Sequence, residues 1–409
     1  MSPRKLIPLA FIAGLPVCAC SSSATSSGVP ASETPQQVNA QTIAPFDAFA
    51  VRTALHDAFQ DEAQWSRFYL VRALASGPDA GAVKTRLMAS EDAIPAVLQP
   101  IYGDAFRDQL GALLHERANG LVAIVLAVQG SSTPTINLRG EWMSNANSIA
   151  QLIGRAMPVS LAELQSELQA ESQAVLDEVD AYSNARWRDA DNAYLTASSG
   201  AVAVSEYLST VMATQFASRI AANQPDPGNA SLHLSLRQLF DDNAFWVHST
   251  IISHLTNSAD EPYVVDEAAM TTTNIGSQFV PFYSPDVGNM ADYLFHAVTI
   301  TDAYAYMLAA SSNDAATASA LRVNWVRDAN NLTLLLSNES AVWLIPSLEG
   351  WLRGYIAQTA TEIDQRLASN WQAEINAYDT AVTSERTFAY SIADGFYVHQ
   401  LPITVTSAR

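Results

Sequence analysis

Cysteine is almost absent from this chain of 409 residues: the two that occur, Cys18 and Cys20, lie within the first twenty. Past them there is no disulfide, no thiol nucleophile and no thiolate metal site, so the body must be stable through its core alone. Lysine is nearly missing too, with only Lys5 and Lys84. Arginine supplies the other cations, and 21 basic residues face 41 acidic ones for a formal net charge of −20. Such a surface repels phosphate backbones, which excludes nucleic acid as a partner and argues against direct docking on anionic lipid. Glycine (17) and proline (18) are too few for a collagen-like or low-complexity chain. Past the amino-terminal segment, no apolar run reaches the ~20 residues that a membrane helix needs. No GxSxG elbow, P-loop or GxGxxG fingerprint occurs.

The amino-terminal segment reads as an export signal. Arg4 and Lys5 precede an apolar stretch over residues 6–17, too short to span a bilayer. The run Val17-Cys18-Ala19-Cys20 resembles a bacterial lipobox. The resemblance implies cleavage before Cys20 and a lipid anchor on its thiol. Ser21 stands where an inner-membrane retention signal would have Asp. The expected address is therefore the cell envelope, as an outer-membrane lipoprotein facing the periplasm or the outside. An ordinary cleaved signal would instead leave a periplasmic or secreted protein. Residues 21–45, rich in Ser, Thr, Pro and Gln, cannot bury enough apolar surface to order themselves and read as a tether.

Two stretches of the body resemble each other. At a displacement of 181 positions, Leu55, Phe59, Asp61, Ala63 and Trp65 fall on Leu236, Phe240, Asp242, Ala244 and Trp246. At 183, Trp142, Ala146 and Asn147 fall on Trp325, Ala329 and Asn330. At 184, Trp187, Asn192, Ala193 and Tyr194 fall on Trp371, Asn376, Ala377 and Tyr378. Tryptophan is rare, so three ordered pairs point to a tandem duplication. Its units are expected at 46–221 and 230–403, joined by the Pro- and Gly-containing linker 222–229.

Within each unit the pattern is helical. Ala, Leu, Gln, Glu and Arg dominate, and the apolar spacing over Val51, Leu55, Ala58, Phe59, Glu62, Trp65 and Tyr69 is mostly three or four. Ser76-Gly77-Pro78-Asp79 reads as a helix stop and restart, Ser160-x-x-Glu163 as a capping box, and residues 99–104 as a turn. The helices of the first unit are expected near 47–76, 79–98, 104–129, 141–156, 160–183 and 187–220. The predicted fold is all-α, two tandem antiparallel helical bundles of five or six helices each. With only a short linker between them, each unit is expected to melt on its own.

These motifs resemble a group of exported bacterial helical proteins whose first helix carries Leu-Trp-x-Asp-His-x-x-Trp-Thr-Arg, followed by a Pro-Tyr-Tyr-Gly turn and a Trp-x-x-Asn-Ala stretch. Here the first element reads Phe59-Gln60-Asp61-Glu62-Ala63-Gln64-Trp65-Ser66-Arg67, and its second copy Phe240-Asp241-Asp242-Asn243-Ala244-Phe245-Trp246-Val247-His248. The turns are Pro100-Ile101-Tyr102-Gly103 and Pro281-Phe282-Tyr283-Ser284, and the later stretches Trp142-x-x-Asn145-Ala146 and Trp325-x-x-Asp328-Ala329. The group's His position is Glu62 in one copy and Asn243 in the other, so whatever that His does is not expected here. The resemblance implies an exported helical fold and no particular activity.

Candidate chemistry is sparse. His115-Glu116-Arg117-Ala118-Asn119 begins like HExxH, but Asn119 replaces the second His and removes the zinc-chelating pair. None of the seven histidines has a Glu three residues before it, which argues against a di-iron bundle. Asp292 and His296, four apart, read as a hydrogen-bonded helix pair rather than metal ligands. Trp65 and Trp246 read as core. Trp343 and Trp351 have no partner in the first copy. Eight apart, about two turns, they are expected on one side of one helix and make an aromatic stripe with Tyr355, read first as core and otherwise as the possible ligand-facing residues. No catalytic residue, metal or cofactor is expected. The reading is a lipid-anchored helical protein that binds or scaffolds an unknown protein or small molecule, with the membrane engaged only through Cys20. The alternative is a hydrolase or metal-dependent enzyme with an interhelical site.

Overall fold

Fourteen α-helices account for most of residues 44–130 and 135–400, the parts described by the computed structural model, and those residues contain no strand. In chain order they are α1 (Ala48–Leu74), α2 (Ala80–Ser90), α3 (Ala93–Tyr102), α4 (Asp104–Gly130), α5 (Thr135–Ala156), α6 (Leu161–Ser183) and α7 (Trp187–Gln215). Then follow α8 (Pro227–Leu255), α9 (Glu261–Ser277), α10 (Pro285–His296), α11 (Asp302–Ser311), α12 (Ala315–Glu339), α13 (Ile345–Leu367) and α14 (Trp371–Gln400). A π-turn at Ala297–Thr301 joins α10 to α11, so that pair together takes the place that α4 alone has earlier. The all-α class is as expected.

Local chemistry sets the ends. Ser76 and Asn257, after α1 and α8, adopt φ of 54° and 51°; Ala185 and Ser369, after α6 and α13, adopt 55° and 57°. At each, the next amide closes on a carbonyl five residues back, as in Gly77 N to Arg72 O (2.8 Å) and Ser258 N to Ser253 O (2.8 Å). This αL stop satisfies the last carbonyls and turns the chain back. The Ser160 hydroxyl accepts from the Glu163 amide as expected, but the Ser160 amide donates to Tyr207 Oη (2.8 Å), where a capping box would use the Glu163 carboxylate.

Each half has seven α-helices among the described residues rather than five or six, α5 opens at Thr135 rather than near 141, and three further boundaries differ from the sequence reading. The expected helix 79–98 is two helices, parted at Glu91 and Asp92. Pro95 has no amide hydrogen and fits only the first turn of a helix, so the chain restarts at Ala93. The expected turn at 99–104 shrinks to Gly103, whose φ of 83° suits glycine; Pro100 lies inside α3. Pro227, placed in a helix-breaking linker, instead opens α8 behind the cap of Asp226, whose side chain accepts from Asn229 N at 3.0 Å.

The helix order of 48–215 recurs over 227–400, and the same neighbours pack: α1 on α7 and α8 on α14, α6 on α7 and α13 on α14. The expectation that each half stands alone is corrected. One hydrophobic cluster runs from Trp65, Phe68 and Tyr69 through Phe245 and Trp246 to Tyr378 without a break. A second cluster, around Leu55, Phe59, Leu98 and Leu110, fills the far end of the first half. Of the described helices, α4 alone is long and apolar enough to cross a membrane. It buries Leu110, Leu114, Leu121 and Val125 among its neighbours together with the charged Arg117.

Candidate functional site

The polar residues with the most elaborate environment lie where the halves meet. The contacts come in reciprocal pairs. Asp79, before α2, accepts from Arg366 of α13 (2.9 Å); Asp260, before α9, accepts from Tyr182 of α6 (3.0 Å). Trp65 meets Tyr378 edge-on at 5.6 Å, and Trp246 meets Tyr194 edge-on at 5.6 Å. Gln64 accepts from Tyr378 Oη (2.8 Å), while Phe245, at the matching position, stacks on Tyr194 at 4.3 Å. This is the pattern of an isologous dimer, realised within one chain.

Buried ion pairs follow the same logic. Arg67 donates to Glu178 (3.0 Å) and Asp191 (2.5 Å), with its guanidinium 5.1 Å from the Tyr194 ring centroid. At the matching positions His248 contacts Glu362 (2.7 Å) and stacks on Tyr378 at 4.2 Å. Glu374 lies 3.7 Å from the other ring nitrogen of His248, and Arg366 bridges Glu374 (3.0 Å) to Asp79. Arg386 joins Asp241 (2.8 Å) to Asp61 (2.7 Å), and Arg237 takes both oxygens of Asp57.

Two of these groups, His56–Asp57–Asp241 and His248–Glu362–Glu374, bring three metal-type ligand atoms within 4.8 Å of one another. In both the positive charge is already there, from Arg237 and Arg386 in the first and Arg366 in the second. A dication would have to displace a guanidinium held by bidentate or bridging contacts. These clusters read as fastenings between the halves.

A small cavity also lies at the same place in each half. The first, about 30 Å³, lies among Phe59, Glu62, Leu114, Arg117 and Glu171. The second, about 20 Å³, lies among Phe240, Phe295, Trp351, Tyr355 and Glu385. Both have room for a water or two, not for a substrate. Arg117 sits within hydrogen-bond reach of Glu171 and 3.7 Å from Glu62, so one guanidinium serves two carboxylates. Burial, with Glu171 nearby and despite Arg117, raises the Glu62 carboxyl to about 7. Glu91, fully buried, has neither carboxyl oxygen hydrogen-bonded, and burial with the adjacent Glu62 pushes it well above its ordinary value.

The possible ligand-facing residues do not form one stripe. Trp343 precedes α13 in the turn at 340–344, and is 1% exposed. Its indole fills the space beside Gly395, where a Cβ would stand 2.1 Å from the ring, and its Nε1 donates to Ser391 O (2.7 Å). Trp351 and Tyr355 meet at the second cavity, Trp351 half-buried and Tyr355 buried. Asp292 and His296 each contact the Thr272 hydroxyl of α9 (3.3 and 3.5 Å) rather than closing on each other as a hydrogen-bonded pair. His115 pairs with Asp92 (2.9 Å), and Asn119 donates to the His115 carbonyl. The interface clusters were not singled out in the sequence; the alignment of Arg67 with His248 and of Glu178 with Glu362 was the signal that carried them.

The chain matches no family model, no curated protein and no solved structure. The motif resemblance therefore adds no site residue, and the chemistry rests on the geometry alone.

That geometry fixes a pH dependence. Asp242 accepts hydrogen bonds from the side-chain amides of Gln60 (3.2 Å) and Gln238 (2.9 Å), and no arginine pairs with it among the described residues. Loss of water and the adjacent Asp241 carboxylate raise it to about 7. Asp242 and Glu62 thus hold protons in the fold that the unfolded chain releases at ordinary carboxylate values. Their stabilisation is complete below those values and is lost as pH rises through about 7. The melting temperature should fall between about pH 5 and about pH 8. An equal or higher melting temperature at the upper pH would contradict the assignment.

Proposed function

We propose that this is an exported, lipid-anchored protein of the bacterial cell envelope, built from two duplicated helical bundles, with a binding or scaffolding role. The observation that carries the non-catalytic reading is the use made of the buried charges. Arg67, Arg366 and Arg386 each tie two carboxylates together, and the last two do so across the halves. Residues committed in this way hold a rigid body together and are not available to a substrate. The two matching cavities inside the helical packing are water-sized.

Duplication is supported by the repeated helix order, by the αL stops at Ser76 and Asn257 and at Ala185 and Ser369, and by the reciprocal contacts of Asp79 and Asp260. The units proposed are 46–221 and 230–403. Anchoring is supported by Val17-Cys18-Ala19-Cys20, which lies outside the described residues. Acyl chains contribute ~0.8 kcal/mol per buried CH₂, so several chains on one thiol hold firmly. Changing Cys20 to Ser should move the protein from the membrane to the soluble fraction. Unchanged fractionation of the variant would end the lipoprotein reading and leave a simple signal peptide.

A further inference from the structure

One ion pair of the first half is opened out in the second. Arg139, three residues before Trp142, and Asp180, seven before Trp187, close on each other through both guanidinium nitrogens (2.9 and 2.5 Å). Their counterparts are Arg322, three before Trp325, and Asp364, seven before Trp371. Among the described residues, Arg322 forms no ion pair with Asp364. Tyr306 stands between them. Its hydroxyl donates to Asp364 (2.9 Å), and its ring lies under the Arg322 guanidinium at 5.9 Å. Along the corresponding stretch of α4 the first half has the aliphatic Ile124 and Val125, which leave the pair free to close.

The result is an open cleft of about 610 Å³ between the α11–α12 turn and the end of α13. That is within the size range of small-molecule sites, unlike the two interior cavities. Its ends are a cation and an anion, both exposed, on either side of one buried tyrosine. Its lining between them is mixed: Ala310, Ala315, Ala318 and the 41%-exposed Leu367 supply an apolar strip, and Asn313 and Ser319 polar groups beside it. A guanidinium at one end matches a carboxylate, with two parallel donors. A carboxylate at the other matches an ammonium.

We propose that this cleft binds the zwitterion of a small apolar amino acid, its carboxylate on Arg322, its ammonium on Asp364 and its side chain against the alanine and leucine wall. The inference gives the binding role proposed above a place and a ligand class, and it rests on that reading. Cys20 has no part in it. An anchored protein with an empty cleft and a soluble protein with a working one are therefore distinguishable outcomes.

The test is calorimetric titration of the full-length protein with L-leucine, leucinamide and N-acetyl-leucine. Leucine should bind at least tenfold more tightly than either derivative, each of which lacks one charge. Arg322→Gln should weaken leucine at least tenfold and leave leucinamide unchanged. Asp364→Asn should weaken leucine similarly and spare N-acetyl-leucine. Both are exposed positions, so the fold should be retained. Tyr306→Val, which lets the pair close as in the first half, should abolish leucine binding. No heat with leucine, or leucine affinity within twofold of the parent in both charge variants, would overturn the proposal.

Discussion

Trp246→Ala should cost about 3–5 kcal/mol and lower the melting of the whole body in one step. Trp246 is 1% exposed, and its indole touches Tyr194 and Phe245 edge-on, with the Arg67 guanidinium 5.2 Å from its centroid. Tyr194 and Arg67 belong to the other half. Removing the indole therefore opens a cavity on the shared face and loosens a buried cation along with it. The loss is a large share of the ~5–15 kcal/mol that a domain usually has. Trp65→Ala should behave alike, because Trp65 packs on Tyr378 and under Arg86, at 4.8 Å. Denaturant unfolding followed by circular dichroism measures both. A loss below about 1 kcal/mol, typical of surface changes, would remove these tryptophans from the core.

Arg366→Met should be as damaging, at about 3–5 kcal/mol, through charge rather than volume. Arg366 is buried and bridges Glu374 to Asp79, which Arg72 also holds at 2.8 Å. Without it, Glu374 is left with the His248 ring nitrogen, at 3.7 Å, as its nearby partner. Adding Glu374→Gln should recover part of the loss, because the buried carboxylate left behind is what destabilises. Burial works to raise the Asp79 carboxyl, but Arg366 and Arg72 outweigh it and hold it below its ordinary value. Its contribution is therefore present above that value and lost as pH falls through the lowered one. The single variant should lose part of this acid sensitivity. A stability change under about 1 kcal/mol, or no recovery in the double variant, would contradict the role given to this bridge.

Helices were legible because their causes are local. The three- and four-residue apolar spacing of α1, the stop at Ser76-Gly77-Pro78 and the Ser160 cap all act within a few residues. Prolines misled in both directions. Pro100 and Pro227 read as breaks, but one falls in the last turns of α3 and the other at the first position of α8. Pro95 passed as helical and marks a restart. The interface was not legible. Asp79 and Arg366 are 287 residues apart, and no spacing rule links them. The eight-residue interval between Trp343 and Trp351 implies one helix face only if one helix holds both, and Trp343 lies in the turn before α13. Aligning the two halves recovers part of what periodicity misses, because it shows which buried positions keep a basic group opposite an acid, as Arg67 and His248 opposite Glu178 and Glu362.

Differential scanning calorimetry of the full-length protein tests the central claim, that residues 48–215 and 227–400 share one core. Continuous packing from Trp65 through Phe245 to Tyr378, with Asp79–Arg366 and Asp61–Arg386 across it, predicts a single transition whose calorimetric and van't Hoff enthalpies agree. Two resolved transitions, each assignable to one half, would contradict it.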